Sequence, residues 1–126
     1  MKRLIAAEEM SRVETAEHFC ATHPVTLLLK GSRTLVCEKD RAVSYNTTGN
    51  PGMATGGMGD VLTGVCAALI AQGLSTYDAA RLGAWLCGRA AEIAVFNGSA
   101  SEESLLPTDL LAHLGAAFDD LRTVDR

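Results

Sequence analysis

Asn50-Pro51-Gly52-Met53-Ala54-Thr55-Gly56-Gly57-Met58-Gly59-Asp60 runs straight into Val61, Leu62, Val65 and Leu69, apolar residues at helical spacing. Six of the chain's 12 glycines fall between Gly49 and Gly64. Glycines at this density allow unusual φ values and let backbone come close to a ligand. Where such a loop feeds a helix, free N–H groups converge and the helix dipole adds partial positive charge. That is an anion site. Asp60 places a carboxylate at its edge, an electrostatically awkward neighbour for a phosphate and therefore a candidate for chemistry.

Composition narrows the setting. At 126 residues the chain is one domain at most. An apolar fraction of 48% with only 5% aromatics predicts an aliphatic, alanine-rich core of helices packed on a sheet. A net charge of −4 and a pI near 5.3, with no basic stripe, argue against a nucleic-acid surface. Cys20, Cys37, Cys66 and Cys87 are far apart, no pair has CxxC spacing, and His18, His23 and His113 complete no metal pattern. Buried free thiols are the expectation. The apolar stretch Leu4–Ala7 is too short for a signal peptide, and no run approaches a membrane span. A cytoplasmic, reducing setting is expected.

Working outward from the loop, residues from about Ala6 to Ala21 read as an amphipathic helix carrying Met10, Val13, Ala16, Phe19 and Cys20 on one face and ending near Pro24. Val25–Leu29 is a candidate buried strand, of the kind parallel sheets use, and Lys30-Gly31-Ser32 breaks it. Thr34–Cys37 and Ala42–Tyr45 flank the polar turn Glu38–Arg41 as a hairpin. Beyond the glycine loop, a helix is expected from Asp60 to about Gln72, with Gly73 just past its end. Ser75–Asp78 resembles a capping box that opens a long helix through about Phe96. Gly83 and Gly88 inside it predict close packing. Asn97 and Gly98 end that helix, and Pro107-Thr108-Asp109 starts the last one. The fold class is α/β, with about three strands and four helices. So small a sheet reads as part of a larger domain, because a buried parallel strand needs neighbours on both sides.

The loop fits neither common nucleotide signature. A P-loop requires Lys after its last glycine, where this chain has Asp60. A dinucleotide fingerprint starting at Gly57 requires glycine where Leu62 stands. A turn that merely packs closely on a helix is the plain alternative, as is a simple N-cap role for Asp60 and a solvated strand end for Lys30. His18, His23 and His113 are assigned no role. Trp85 is a core or oligomer-contact residue.

Residues Asn50 through Gly64 resemble the signature of the ADP/ATP-dependent NAD(P)H-hydrate dehydratases, a family of ribokinase-like fold. Leu28–Thr34 is similar to the family's strand-then-Lys-Gly segment, and Ala71–Ser75 and Leu106–Leu111 to later segments. The resemblance implies that residues 1–126 form the C-terminal portion of a three-layer α/β/α domain, with an incomplete sheet. The strands of the first half, and part of the hydrate-binding surface, are then expected outside this chain. It implies nucleotide-dependent repair of hydrated NADH or NADPH, with ADP or ATP as phosphoryl donor and Mg2+ accompanying the phosphates. It further implies that Gly57, Met58 and Gly59 form the anion hole and that Asp60 binds the hydrate's hydroxyl and takes its proton. Lys30, Gly31, Ser32, Arg33, Thr34, and Asn50, Pro51, Gly52, Met53, Ala54, Thr55 and Gly56 through Gly59 would hold the nucleotide. General chemistry agrees, since phosphoryl transfer depends on positioning and charge stabilisation. Two alternatives stay open: a small-molecule kinase of the same fold, and a non-catalytic module that self-associates through its incomplete sheet. A homo-oligomer, or pairing with a complementing N-terminal half, is expected.

Overall fold

A computed structural model describes residues 2–124, with side chains from Ser11 to Thr123. The chain divides between Tyr45 and Asn46 into two compact units, each described by itself.

The first unit holds helix α1 (Lys2–Thr22) and three strands, β1 (Leu27–Leu29), β2 (Leu35–Cys37) and β3 (Ser44–Tyr45), in the order β1-β2-β3. The expected hairpin is present: β2 pairs antiparallel with β3, Leu35 opposite Tyr45 and Val36 opposite Ser44. Its turn places Asp40 at φ 63, a left-handed conformation that Asp tolerates better than most residues. Leu27–Leu29, a candidate parallel strand, makes its one pairing among the described residues antiparallel. β1 pairs antiparallel with β2, Leu27 opposite Cys37 and Leu29 opposite Leu35. The five-residue connection Lys30–Thr34 simply turns the chain back, which no parallel crossover could do so briefly. The fully buried strand is β2, with a strand on each side, while β1 is only half-buried.

α1 covers this sheet with a narrow stripe. Ala16 and Cys20 are buried with Leu35 and Cys37, and Val13, Leu27, Leu29 and Val43 pack around them. The helix starts earlier than its apolar pattern indicates, at Lys2; Met10 lies outside the described side chains. Phe19 is 40% exposed and stacks on His23 instead of joining the core, with ring centroids 4.1 Å apart. Cys20 Sγ donates to the Cys37 carbonyl at 3.4 Å.

The second unit is helical: α2 (Met58–Ala71), α3 (Thr76–Phe96) and α4 (Pro107–Val124), preceded by a 3-10 turn at Pro51–Met53. α3 is the axis, with α2 and α4 both packed on it. Its alanines and glycines permit close approach. A Cβ at Gly83 would lie 2.6 Å from Cys66 Sγ on α2, so the packing role read from sequence holds. Leu86, Leu105 and Leu110 are fully buried in the same core, and truncating any of them to Ala would cost about 2–5 kcal/mol.

The helix ends carry the sequence signals. Gly73 at φ +105 closes α2 as a Schellman motif, its N–H donating to the Ile70 carbonyl at 2.9 Å and Leu74 N–H to Leu69 at 3.2 Å. Ser75 Oγ accepts from Asp78 N–H at 3.1 Å and caps α3. Pro107 opens α4, and Asp109 Oδ2 accepts from Leu106 N–H at 2.8 Å. Among the described residues no helix is long and apolar enough to cross a membrane. Cys20, Cys37 and Cys87 are buried free thiols as expected, whereas Cys66 is half-buried.

Burial, then the neighbouring Cys20 thiol, pushes the Cys37 thiol from 9.0 up to about 11. The folded state thus favours the protonated form. Stability from this source is whole below the unfolded value and fades as pH climbs to the folded one. We predict that urea unfolding shows declining stability between pH 9.0 and about 11. Cys37→Ala should flatten that slope, and equal slopes in wild type and variant would refute the assignment.

Candidate functional site

The glycine loop begins where α3 grips the chain. Asn46 Nδ2 donates to the Ala84 carbonyl at 3.1 Å, and Thr48 Oγ1 to the Trp85 carbonyl at 2.9 Å. These carbonyls are free to accept a second bond because each has two lone pairs. Thr48 occupies the space where a Cβ at Gly88 would stand, so only glycine admits it. Gly49 then turns at φ +114, its N–H donating to Glu92 Oε1 at 2.9 Å.

From there the loop holds itself. Asn50 Oδ1 accepts from Gly52 N–H at 3.0 Å and caps the 3-10 turn, while Met53 N–H donates to the Asn50 carbonyl at 3.1 Å. Gly52 is buried, and a Cβ there would lie 2.5 Å from the Glu102 carbonyl oxygen. Thr55 Oγ1 donates to the Gly52 carbonyl at 2.9 Å. Pro51 and Ala54 are exposed and Met53 half-buried.

Gly57, at φ +93, is the N-cap of α2, with a Cβ position 3.0 Å from Pro107 Cγ. α2 therefore starts at Met58, two residues before the start read from sequence. Met58 is 3% exposed, and its side chain anchors the helix start in the core. Its N–H reaches the Thr55 carbonyl at 3.4 Å, and Val61 N–H reaches that of Gly57 at 3.3 Å. Among the described residues no acceptor meets the Gly59 and Asp60 N–H groups, which by helix geometry face out along the axis from the N-terminus. Asp60 sits at the third helical position with an exposed side chain, so it is not the N-cap. An anion arriving here meets two open amides, the positive end of a helix and a carboxylate not used for capping.

The other predicted stretch, Lys30–Thr34, lies in the first unit. Lys30, Gly31, Ser32 and Arg33 are exposed and Thr34 is half-buried. Sequence reasoning missed the residue that shapes it. Arg12 Nη2 on α1 donates to the carbonyls of Leu29, Lys30 and Arg33 at 3.4, 3.3 and 3.5 Å. A guanidinium presents several donors in one plane, so a single side chain gathers the whole turn. Glu92, Thr48 and Asn46 were also missed, as polar residues far from the motif. A hint lay in Gly88, whose missing side chain makes room for Thr48.

His18 and His23 are exposed, and His113 Nδ1 contacts the Asp109 carbonyl at 2.8 Å; none joins the loop. Among the described residues no group of three His, Cys, Asp or Glu could hold a metal ion.

A family model described as NAD(P)H-hydrate dehydratase matches residues 1–114. The chain belongs to that family. It is 45% identical over 103 residues to a bifunctional NAD(P)H-hydrate repair enzyme of Moorella thermoacetica, covering 82% of this chain and 19% of that one. To an ADP-dependent (S)-NAD(P)H-hydrate dehydratase of Neisseria meningitidis it is 40% identical over 89 residues, covering 71% of this chain and 30% of that one. A solved ADP/ATP-dependent NAD(P)H-hydrate dehydratase of Bacillus subtilis, co-crystallised with ATP and Mg2+, superimposes with a TM-score of 0.80 at 28% identity, covering 89% of this chain and 40% of that one. The fold is accordingly part of the ribokinase-like dehydratase fold, and the chain spans between a fifth and two-fifths of these relatives.

Gly57 and Gly56 offer a contrast within one motif. Gly57→Ala forces a side chain into positive φ and against Pro107, and should cost about 1–3 kcal/mol. Gly56 has open space and no positive φ, so Gly56→Ala should change stability by less than about 0.5 kcal/mol. Thermal melts without nucleotide check both, and equal losses would contradict the geometry.

Proposed function

We propose that this chain carries the phosphoryl-handling part of a dehydratase that repairs hydrated NADH or NADPH with ADP or ATP. The observation that carries this reading is the N-terminus of α2, where the open Gly59 and Asp60 amides stand beside an exposed carboxylate that caps nothing. The names of the relatives supply the substrate class.

In this reading the terminal phosphoryl group lies at the Gly57-Met58-Gly59 stretch and takes the open Gly59 and Asp60 N–H groups. Asp60 binds the hydrate's hydroxyl and accepts its proton as oxygen attacks phosphorus. The bond from phosphorus to the nucleotide's bridging oxygen breaks. The phosphorylated hydroxyl then leaves as phosphate, and loss of a ring proton restores the double bond. The amides stabilise charge on the phosphoryl oxygens in flight and need no reorganisation, being fixed at a helix end. Asn50 through Gly56 hold the loop and contact the nucleotide. Lys30, Gly31, Ser32, Arg33 and Thr34 are proposed as further nucleotide contacts because that segment resembles the family's Lys-Gly segment. Mg2+ would arrive on the nucleotide's phosphates, as it commonly does.

Residues 1–126 are proposed as the C-terminal portion of one dehydratase domain. The remainder of that domain supplies the rest of the hydrate-binding surface, from a partner chain or a longer protein. The four free thiols support a cytoplasmic setting.

The test is turnover of hydrated NADH by the full chain supplemented with the remaining segment of the domain, followed by the absorbance of the restored nicotinamide. Asp60→Asn should lower the rate about a thousandfold and leave ADP affinity largely intact. No turnover by the supplemented wild type would defeat the proposal, as would accumulation of a stable phosphorylated product.

A further inference from the structure

Glu92 uses both carboxylate oxygens. Oε1 accepts from the Gly49 N–H at 2.9 Å, and Oε2 accepts from Arg89 Nη1 at 3.0 Å. Arg89 Nε donates in turn to Asp120 Oδ2 on α4 at 2.7 Å. One run of charge-assisted bonds therefore leads from α4 through α3 to the first residue of the glycine loop, all within the second unit. Asp120, then Glu92, raise Arg89 further above its already high ordinary value, so the guanidinium stays charged throughout the working pH range.

An Arg–Glu pair one turn apart on a helix ordinarily contributes little by itself. Here the pair does something else, because its carboxylate is fixed on a backbone amide outside the helix. Gly49 is where the chain leaves Thr48, docked on α3, and swings into Asn50 at φ +114. Holding its N–H fixes the peptide plane from which the rest of the loop departs. Bonds from Gly52 N–H to Asn50 Oδ1, from Thr55 Oγ1 to the Gly52 carbonyl and from Met58 N–H to the Thr55 carbonyl then carry that orientation to the start of α2. A cavity of about 480 Å³ lined by Asn50, Arg89, Glu92 and Glu102 opens beside the strut. Packing on that side therefore does not substitute for the bond.

We propose that Glu92, braced by Arg89 and Asp120, is a positioning residue that orients the glycine loop and through it the Gly59 and Asp60 amides. Its proposed action is through the loop and not by contact with nucleotide or hydrate. Its link to function rests on the phosphoryl-site reading above, and its structural part does not.

Amide hydrogen exchange and ADP titration of the full chain test it in wild type, Glu92→Ala, Glu92→Gln and Arg89→Met. In Glu92→Ala, exchange at Gly49 and Gly52 should speed by about tenfold or more, as expected on losing a bond to a charged acceptor. Exchange at Leu86 and Ala90, inside α3, should stay unchanged. ADP affinity should fall about tenfold in step with the loop. Glu92→Gln keeps an acceptor for Gly49 and should restore most of the protection, whereas Arg89→Met should fall between Glu92→Ala and wild type. Unchanged Gly49 exchange in Glu92→Ala would overturn the proposal. So would a uniform loss of protection across α3, which marks general destabilisation, or a loosened loop with undiminished ADP affinity. Failure of the wild type to bind ADP would instead defeat the phosphoryl-site reading, and the exchange comparison would still decide the strut.

Discussion

The close approach of Thr48 to Gly88 is the contact on which the rest of the second unit's site depends. A side chain at Gly88 would occupy the place of Thr48, whose bond to the Trp85 carbonyl, with those of Asn46 to Ala84 and of Gly49 to Glu92, fixes where the loop departs. Everything downstream is referred to that contact: the turn at Gly49, the cap at Asn50, the 3-10 turn, the left-handed Gly57 and the direction of the α2 axis. Helix N-termini attract anions in general. What makes this one specific is that its amides are aimed by a loop with almost no freedom left. Met58 anchors the helix start from beneath while Pro107 closes against Gly57 from α4.

The two units show different solutions to presenting backbone. In the second, carbonyls and amides are fixed by side chains of Asn46, Thr48, Asn50, Thr55 and Glu92, and the exposed atoms are N–H groups. In the first, Arg12 gathers the carbonyls of Leu29, Lys30 and Arg33, and the side chains of Lys30, Ser32 and Arg33 are left exposed. A phosphate-binding loop requires donors, which the glycine loop offers through its backbone. In the Lys30 turn Arg12 occupies the Lys30 and Arg33 carbonyls, which leaves the exposed lysine, serine and arginine side chains as outward polar groups.

Local chemistry made much of this legible. Gly73, Ser75, Pro107 and the hairpin turn act over a few residues, so their sequence signals and their structures coincide. The glycine loop was legible because its spacing matches a family whose fold the chain shares. The direction of the Leu27–Leu29 strand was not. An apolar run of three leucines is compatible with either direction, and what decides it is the short return through Gly31 to Leu35. The start of α2 was misplaced because Asp60 is the obvious capping residue, while the cap is a left-handed glycine with no capping side chain. Arg12 and Glu92 lie 17 to 43 residues from the backbone they hold, a separation at which periodicity carries no information.

If the N-terminus of α2 is a phosphoryl site, the Gly59 and Asp60 amides receive the phosphoryl group. Titration of the isotopically labelled chain with ADP or ATP, followed residue by residue in its amide NMR spectrum, tests this directly. A phosphoryl group bound there should give the largest shifts at Gly57, Met58, Gly59 and Asp60, with Gly73, at the far end of α2, and Gly98, just past α3, unmoved. Saturable binding that left Gly57–Asp60 unshifted, or that centred on another part of the chain, would contradict it.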